Sequence, residues 1–484
     1  MELVSPAGNL DKLYYAYTYG ADAAYIGLKR FSLRVKADNF YENEYEKIIA
    51  LKKQNPRKRL FCALNISFHN KDIDQFLSDL DYFRCYPIDS FIIQDIGMLQ
   101  IKQKNFPNVA LHLSTQANCI NREAVKMYKS LGFKRVVLGR EASLAEIREI
   151  KDSVPEMELE VFAHGAMCIA YSGRCLMSAY MNGRSANSGF CSHSCRWEYN
   201  LLTNLPQSGQ LVLEERERPG EYFPVFEGED FTAILSSKDL CMIDHLKEMQ
   251  EAGVDSLKIE GRMKSIYYVA LVTRAYRKAI DALEGKISQQ QAKPFIDELY
   301  NVSHREFGTG FFFRREDADK TTTGASDSPY ELCASVGKVL SPNEEEEIFS
   351  IAKASELRRT QELESMHPAA RAAKETDYAL HPEKCPPVIS KKEGFRFYNY
   401  IAMNKIAAKD SGVNNASDQI EFVSPDIASM FAQQESYQLV NPETGEILNW
   451  VCHGHPCLIY TNLPLKEGML VRTKNIRFGN PQHR

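Results

Sequence analysis

The sequence predicts an α/β fold in which a (β/α)8 barrel of the TIM type carries a cysteine-bearing insertion and precedes a small C-terminal antiparallel β domain. Over the first ~280 residues, short apolar strands alternate with amphipathic helices, which is the pattern of parallel βα units. Eight such strands within ~250 residues are the number that a barrel requires. After about Tyr330, short strands follow one another around turns such as NPETGE, which indicates antiparallel pairing.

Eight segments supply the predicted barrel strands. They are ELVS, AAYIGL, FCALNI, SFIIQD, ALHLSTQ, RVVLGR, LEVFAHG and SLKIEGR, which begin at Glu2, Ala23, Phe61, Ser90, Ala110, Arg135, Leu159 and Ser256. An open doubly wound sheet is the competing architecture. Such a sheet usually has fewer strands and often a Gly-rich first turn, which this sequence lacks. The strand count therefore favours the barrel.

Polar residues close most of these strands, and in a barrel they meet at the C-terminal rim, where barrel enzymes place their chemistry. From this set we take four candidate catalytic residues, Asn65, Gln116, His164 and Glu260. The competing interpretation is that rim residues only cap the helices that follow them.

Changes of pattern along the chain divide it into three parts. Residues 1–313 are expected to form the barrel, with the insertion at about 167–255 between the seventh and eighth strands. Residues 314–330 have the composition of a flexible linker. Residues 331–484 are expected to form the small β domain, which a charged, partly helical stretch interrupts at about 341–392.

The composition is that of a soluble globular protein, with 44% apolar and 25% charged residues and no run long enough to span a bilayer. The N-terminal sequence MELVSPAGNLDKL has no signal-peptide pattern, which predicts a cytoplasmic protein whose cysteines stay reduced. The net charge of −5 argues only weakly against nucleic acid, because a local basic face is what contacts phosphates. Candidates for such contacts follow the second strand and are Lys29, Arg30, Arg34 and Lys36.

Four cysteines of the insertion are the most specific feature of the sequence. Cys168, Cys175, Cys191 and Cys195 are spaced C-x6-C-x15-C-x3-C. A [4Fe–4S] cluster takes one thiolate per iron, so four thiols favour a cluster. Structural zinc is the main alternative, although zinc sites usually pair cysteines at C-x2-4-C, which only the last pair fits. Four cysteines without a ligand, among Gly, Ser and Asn turn residues, are the third possibility.

Charged and aromatic neighbours surround these cysteines. Arg174, Arg184 and Arg196 can neutralise cluster charge or hold an anionic substrate. Trp197 and Tyr199 can stack on a base. The competing interpretation is that the arginines are solvated and the aromatic rings pack the edge of the insertion.

Other cysteines need separate explanations. Cys241, in SSKDLCMIDHL, is predicted on the apolar face of a helix and is the best substitute for one of the four ligands. Cys452 and Cys457 flank HGHP in the C-terminal domain. VCHGHPC resembles a metal site, but it is predicted on a strand pair, so we do not favour a metal there.

Long segments of the first 313 residues resemble the collagenase-like peptidase family. They are MELVSPAG, GADAAYIGL, the cysteine segment, RPGEYFPVFE, SSKDLCMIDHL and SLKIEGRMKSIYYVALVTRAYRKAID. Within the family they are most similar to the branch of prephenate-dependent tRNA uridine hydroxylases. Members of several branches carry an iron–sulfur cluster and hydroxylate tRNA, ribosomal RNA or a quinone precursor.

The resemblance implies hydroxylation of the wobble uridine of tRNA to 5-hydroxyuridine, with prephenate as co-substrate. It also implies a [4Fe–4S] cluster on the four cysteines named above, and CSHSC is the tRNA-type arrangement. Some related systems need a ferredoxin-like donor, which makes an electron-transfer partner a candidate. Prephenate is a dicarboxylate, and the candidate residues that bind it are Arg140, Arg174 and Arg262.

Three competing functions remain open at this point. A collagenase-like peptidase needs an activated nucleophile or a metal-bound water, and the chain has neither HExxH nor G-x-S-x-G. The pair of His164 and Cys168 is the remaining route to a peptidase. A hydroxylase that acts on ribosomal RNA is the second competing function, and a non-catalytic RNA-binding protein with a structural cluster is the third.

In the C-terminal domain, MNKIAAKDSGVNNASDQIEFVSP is longer than its counterpart in the family.

Overall fold

The chain folds into two compact units, Met1–Asp327 and Ser328–Arg484. A computed structural model describes residues 1–28, 30–33, 39–40, 44–168, 170–197, 199–202, 212–216, 222–224, 227–228, 231–232, 237–313, 325–381, 384–403 and 419–474. Most of the predicted linker, residues 314–324, lies outside these ranges. Each unit has a sheet and a hydrophobic core of its own.

The first unit contains a closed parallel barrel, which confirms the predicted fold class. Its strands are β1 (Glu2–Pro6), β2 (Ala23–Ile26), β3 (Arg59–Leu64), β4 (Ser90–Ile93), β5 (Ala110–Leu113), β6 (Arg135–Val137), β7 (Glu158–Ala166) and β8 (Ser256–Ile259). Each strand pairs in parallel with the next, and β8 pairs with both β7 and β1, so the barrel is closed. The strands are almost wholly buried, as expected where helices cover a parallel sheet.

Helices cover the outside of this barrel. They are α1 (Leu10–Thr18), α2 (Tyr45–Gln54), α3 (Asn70–Ser78), α4 (Leu80–Arg84), α5 (Met98–Asn105), α6 (Arg122–Ser130), α7 (Leu144–Ser153), α9 (Leu246–Glu251), α10 (Ile266–Leu283) and α11 (Gln289–Asp297). The short helix α8 (Met177–Asn182) lies in the insertion instead, where it contacts the turns at Ala186–Ser188 and Ser194–Arg196. Polar N-caps begin several of them, and Ser143 and Glu146 form a reciprocal capping box at α7. The long helix α10 packs against α1 and β1 with most of its first three turns buried.

The interior of the barrel holds paired charges. Glu160 on β7 is completely buried and accepts hydrogen bonds from Lys258 Nζ at 2.7 Å and Arg135 Nη1 at 2.8 Å. Lys258 also lies over the Tyr25 ring at 4.5 Å, and Arg135 lies over the Phe61 ring at 5.4 Å. Burial alone would raise the pKa of Glu160, but the charges of Lys258 and Arg135 outweigh it and lower that pKa to about 2. The carboxylate therefore stays ionised and compensates both buried cations.

The insertion leaves the barrel wall after β7 and returns to it. Antiparallel strands lie within it at Tyr199–Leu202, Val212–Glu215 and Tyr222–Pro224. The chain comes back as the strand Asp239–Cys241, which pairs antiparallel with the end of β7. The prediction that Cys241 lies on a helix is wrong, because its backbone belongs to this strand and the helical turn begins only at Ile243.

The second unit is built on an antiparallel sheet, as predicted. Its strands are β9 (Tyr330–Val339), β10 (Arg396–Ala402), β11 (Ile420–Val423), β12 (Met430–Ala432), β13 (Tyr437–Val440), β14 (Ile447–Leu448), β15 (Leu458–Thr461) and β16 (Leu470–Lys474), in the order β12-β11-β16-β9-β10-β15-β13-β14. Arg472 and Glu421 form a buried ion pair in it. The helices α12 (Pro342–Ser365) and α13 (Pro368–Leu380) occupy the charged stretch. Of the segment MNKIAAKDSGVNNASDQIEFVSP, which is predicted to be longer than its family counterpart, residues 404–418 lie outside the described residues.

The helices of the described ranges do not combine the length and apolar character that a membrane crossing requires.

We predict that Glu160→Gln lowers the free energy of unfolding of the barrel by about 3–5 kcal/mol, because it removes the carboxylate that pairs with the buried Lys258 and one of the three that pair with Arg135. The measurement is the shift of the denaturant midpoint of the full-length protein. The matched control is Glu158→Gln, which also removes a carboxylate bound to Arg135 but one that is 45% exposed. That change should cost less than about 1 kcal/mol. Equal losses in the two variants would contradict the prediction.

Candidate functional site

The cysteine segment lies against the C-terminal rim of the barrel. The backbone N–H of Ser172 donates to Glu141 Oε1 at 2.8 Å, and the backbone N–H of Ser67 donates to Asn187 O at 3.1 Å. Gly173 has a φ of +76°, and a Cβ there would overlap the carbonyl group of Gln116. Only glycine allows this close approach without strain. The segment is therefore held on the loops that follow β3, β5 and β6.

The structure places the four cysteines within this segment. Cys168 is exposed, and the other three are partly buried. All twelve cysteines of the chain lie in described residues, and none forms a disulfide. In the described part of the chain, no three His, Cys, Asp or Glu side chains are close enough to hold a metal ion. The fold thus brings four thiols to one face of the barrel without joining them at a common centre.

The polar groups of the segment are chemically suited to thiolate ligands. The backbone N–H of His193 donates to Cys191 Sγ at 3.4 Å. Asn187 Nδ2 donates to the backbone oxygen of Cys175 at 3.1 Å, and the Ser178 and Ser192 hydroxyls are 2.9 Å apart. Hydrogen bonds to sulfur are one of the means by which proteins tune an iron–sulfur cluster. Four thiols are the donors that a [4Fe–4S] cluster takes in number and kind, but in the described residues they do not converge on one point.

Arg140 lies at the rim and has hydrogen-bonding capacity to spare. Its guanidinium lies over the Phe162 ring at 4.0 Å, and its Nη1 donates to the backbone oxygen of Ala166 at 3.0 Å. Its Nη2 lies 3.9 Å from Glu260 Oε2. Its Nε is buried and has no hydrogen-bond partner in the described residues. Because the buried Nε of Arg277 shares this feature, it is the position at the rim that makes Arg140 a candidate to bind an anion.

Glu260, Asn65 and Gln116 lie at the same rim. Tyr25 approaches Glu260 Oε2 at 3.4 Å and donates to the backbone oxygen of Ile259 at 3.0 Å. Asn65 Oδ1 accepts a hydrogen bond from the backbone N–H of Leu33 at 3.1 Å. Gln116 is half-buried in the short helical turn that follows β5. These three side chains are therefore in the region where the sequence predicts them.

Arg262 is not the open rim side chain that the sequence suggested. It is 2% exposed, and its two amino groups donate to Ser32 Oγ at 2.5 Å and Asn39 Oδ1 at 2.7 Å. A Cβ at Gly27 would overlap the same guanidinium. Arg262 therefore holds the loop after β2 against the barrel. Because its fork is already occupied, we withdraw it as a ligand of a dicarboxylate.

His164 also differs from the prediction, because its ring lies outside the barrel interior. Phe162 pairs with Lys258 and His164 pairs with Ile259, so Ala163 is an extra residue in β7. Such a bulge reverses the alternation of side chains, which turns His164 towards the helix-covered side. Its ring packs there against Tyr276 and other aromatic residues and is 1% exposed. His164 is therefore a core residue, and it does not form a pair with the exposed Cys168.

The remaining basic and aromatic candidates have mixed outcomes. Arg174 and Arg184 are exposed on the cysteine segment. Trp197 Nε1 donates to the backbone oxygen of Ser192 at 3.2 Å, which fixes its ring within the segment. Arg30 pairs with Asp79 at 3.5 Å. The candidates whose side chains lie outside the described residues are Lys29, Arg34, Lys36, Arg196 and Tyr199.

Sequence reasoning missed the charges beneath the rim. Lys258, Glu160 and Arg135 lie on strands that the sequence predicts as apolar core. The available signal was the position of Lys258 within SLKI, where a charged residue alternates with apolar ones. Tyr25 on β2 connects this interior network to Glu260 at the rim.

These features define a (β/α)8 protein whose rim is covered by a cysteine-bearing insertion. A profile of Peptidase family U32 matches residues 8–322, and the chain belongs to this family. This confirms the resemblance to the collagenase-like peptidases.

Curated relatives extend over most of the same region. The chain is 40% identical over 349 residues to "tRNA hydroxylation protein P" of Escherichia coli, covering 66% of this chain and 76% of that protein. It is 37% identical over 373 residues to "tRNA hydroxylation protein P1" of Bacillus subtilis, covering 76% and 83%. It is 32% identical to the "23S rRNA 5-hydroxycytidine C2501 synthase" of Escherichia coli, covering 70% of this chain and 49% of that protein.

We predict that His164 makes the barrel sensitive to acid. Burial lowers the pKa of His164 to about 3 from an ordinary value of 6.5, although the charge of Asp239 opposes the shift. As the pH falls, the unfolded chain therefore binds the proton before the folded protein does. The contribution of neutral His164 to the free energy of unfolding is complete above about pH 6.5 and is lost as the pH falls towards 3. The expected slope for one proton is about 1.4 kcal/mol per pH unit.

Denaturant midpoints between pH 7 and pH 4 test this prediction. The free energy of unfolding of His164→Gln should lack this slope with pH. The control His453→Gln, at an exposed position, should keep the wild-type slope. Parallel curves for wild type and His164→Gln would show that the imidazole does not control the acid sensitivity.

Proposed function

We propose that this protein is an RNA-modifying hydroxylase that converts the wobble uridine of tRNA to 5-hydroxyuridine. The observation that carries the proposal is the position of the four-cysteine segment, which lies on the rim of the barrel where barrel enzymes bind their substrates. The two relatives named as tRNA hydroxylation proteins match over three quarters or more of their length. A cytoplasmic tRNA pool is the substrate we propose.

The cysteines Cys168, Cys175, Cys191 and Cys195 are proposed to hold a [4Fe–4S] cluster. When bound, such a cluster supplies one-electron chemistry, for which an electron-transfer partner is a natural donor. The chain's own part is to present the thiols at the rim. The contacts from Glu141 and Gln116 to residues 172–173 keep the segment there.

Arg140 is the residue that we propose to bind a carboxylate of prephenate. Its buried Nε lacks an acceptor, and its stacking on Phe162 fixes the plane of the guanidinium. Glu260 Oε2 lies 3.9 Å from Arg140 Nη2 and would repel the second carboxylate of a bound dicarboxylate. The dicarboxylate should therefore bind with its second carboxylate directed away from Glu260. The exposed Arg174 is the candidate for that free end.

The flipped uridine is proposed to bind between the rim and the cysteine segment. Enzymes that modify a base in RNA read its polar edge with amides and other hydrogen-bonding groups. Asn65 and Gln116 supply amide groups on the loops that follow β3 and β5, and the backbone of Gln116 lies directly beneath Gly173 of the cysteine segment. These two amides are therefore the proposed contacts to the pyrimidine.

Two other functions are less well supported. The ribosomal RNA synthase matches over 49% of its own length, compared with 76% and 83% for the two tRNA proteins. A cysteine peptidase based on His164 would need that ring next to Cys168, but the ring lies behind the barrel wall. The geometry therefore favours RNA hydroxylation over peptide hydrolysis.

Nucleoside mass spectrometry of tRNA and of ribosomal RNA from a deletion strain tests the function. We expect 5-hydroxyuridine and its derivatives to vanish from tRNA and to return with wild type. They should also return with Cys85→Ala, which alters an exposed cysteine outside the insertion, but not with Cys168→Ala. Unchanged tRNA together with a loss from ribosomal RNA would replace the proposed substrate. No change in either RNA would overturn the hydroxylase.

The carboxylate site has its own test. Arg140→Ala should raise the KM for prephenate by about 10- to 100-fold, since a hydrogen bond to a charged group contributes about 1.5–3 kcal/mol. Steady-state hydroxylation of unmodified tRNA gives this value. Arg184→Ala removes an exposed arginine of the cysteine segment and should leave the KM within about twofold. An unchanged KM in Arg140→Ala would remove Arg140 from the site.

A further inference from the structure

One motif of the second unit has no part in the proposed hydroxylation. VCHGHPC, residues 451–457, connects β14 to β15. Its second cysteine, Cys457, is buried in the sheet core, and burial raises the pKa of that thiol to about 12. Its first cysteine, Cys452, is only partly buried and lies beside the exposed His455. The two thiols of the motif therefore have opposite surroundings.

Cys452 and His455 are in direct contact. Cys452 Sγ lies 2.8 Å from His455 Nδ1 and 3.8 Å from Nε2, so Nδ1 faces the sulfur. The backbone N–H of His455 donates to Cys452 O at 3.1 Å and closes a tight turn. Gly454 has a φ of +86° in this turn, a conformation that glycine adopts at little cost. The turn itself therefore holds the imidazole against the thiol.

The surroundings of the pair suit a thiol reaction better than a metal. In the described residues, no third His, Cys, Asp or Glu completes a metal site with the pair. The Trp450 ring lies 5.8 Å from the His455 ring. Both rings border a cavity of about 360 Å³ whose other walls are mainly apolar, formed by Pro386, Ile447, Leu448, Val451 and Pro456. A small organic molecule can enter this space next to the imidazole.

We propose that Cys452 and His455 form a nucleophilic thiol–imidazole pair, a modification site at which Cys452 forms a mixed disulfide with a low-molecular-weight disulfide. The thiol proton passes from Sγ to His455 Nδ1, and the thiolate attacks one sulfur of the reagent. The S–S bond of the reagent breaks as the new S–S bond forms. The second sulfur leaves as a thiolate, which takes the proton from His455. Cys452 is oxidised and the leaving sulfur is reduced, so no other oxidant is needed.

Cys85 provides a matched reference within the same molecule. It is exposed, but its thiol donates to the backbone oxygen of Asp81 at 3.3 Å instead of contacting an imidazole. An imidazole in contact with a thiol can accept its proton as the sulfur attacks, whereas the Cys85 thiol contacts a backbone carbonyl group. The ratio of the Cys452 rate to the Cys85 rate should therefore depend on the His455 side chain, whereas a simple difference in accessibility would survive its replacement.

The test uses the full-length protein and oxidised glutathione at neutral pH, with mixed disulfides located by peptide mass spectrometry. We expect the ratio of the Cys452 rate to the Cys85 rate to be at least about tenfold lower in His455→Gln than in wild type, because a positioned general base contributes roughly 10²-fold or more. An unchanged ratio in His455→Gln would overturn the proposal.

Cys457 reports on folding in the same experiment. Because it is buried, it should stay unmodified in wild type and in His455→Gln. If His455→Gln exposes Cys457, the variant is misfolded and the wild-type ratio decides the outcome. Because Cys85 is the more exposed thiol, a Cys452-to-Cys85 ratio above one supports the proposal, and a ratio of one or less overturns it. The reaction is independent of the hydroxylase proposal, since it lies in the second unit and is read without RNA.

Discussion

The buried carboxylate of Glu160 is the interaction on which the barrel depends. Arg135, Glu160 and Lys258 come from β6, β7 and β8, and within the described residues they form ion pairs with one another and with Glu2 and Glu158 at the base. A slip of one residue in any of these strands would turn its charge out of the barrel interior and break these pairs. The register of the last three strands is therefore fixed by electrostatics as well as by apolar packing. This register also sets the positions of the rim residues that follow these strands.

The extra residue in β7 gives the side chains at the two ends of this strand different surroundings. Before Ala163, the inward side chains belong to the charged interior and to the stacking surface beneath Arg140. After it, His164 faces α10, and the strand leaves the barrel wall to meet the returning strand of the insertion. One extra residue thus lets β7 begin in the barrel wall and end as the pairing partner of the insertion's returning strand.

The sequence allowed the barrel, its eight strands and the antiparallel second unit to be predicted, because these depend on local periodicity. The rim positions of Asn65, Gln116, Arg140 and Glu260 followed from the ends of strands. Arg262 and His164 did not, because a loop that folds back and a bulge are set by tertiary contacts that periodicity does not contain. The placement of Cys241 on a strand likewise depends on pairing with β7, a partner distant in sequence.

The pairing of Asp239 with Ala166 has a consequence for how the family can diversify. The two ends of the insertion are already adjacent on the barrel wall, so the entropy of closing the loop changes little as residues are added or removed between them. The length of the insertion therefore has little effect on the stability of the barrel. During evolution the insertion, with its cysteines and arginines, can change in length and sequence while the barrel and its internal charges stay constant.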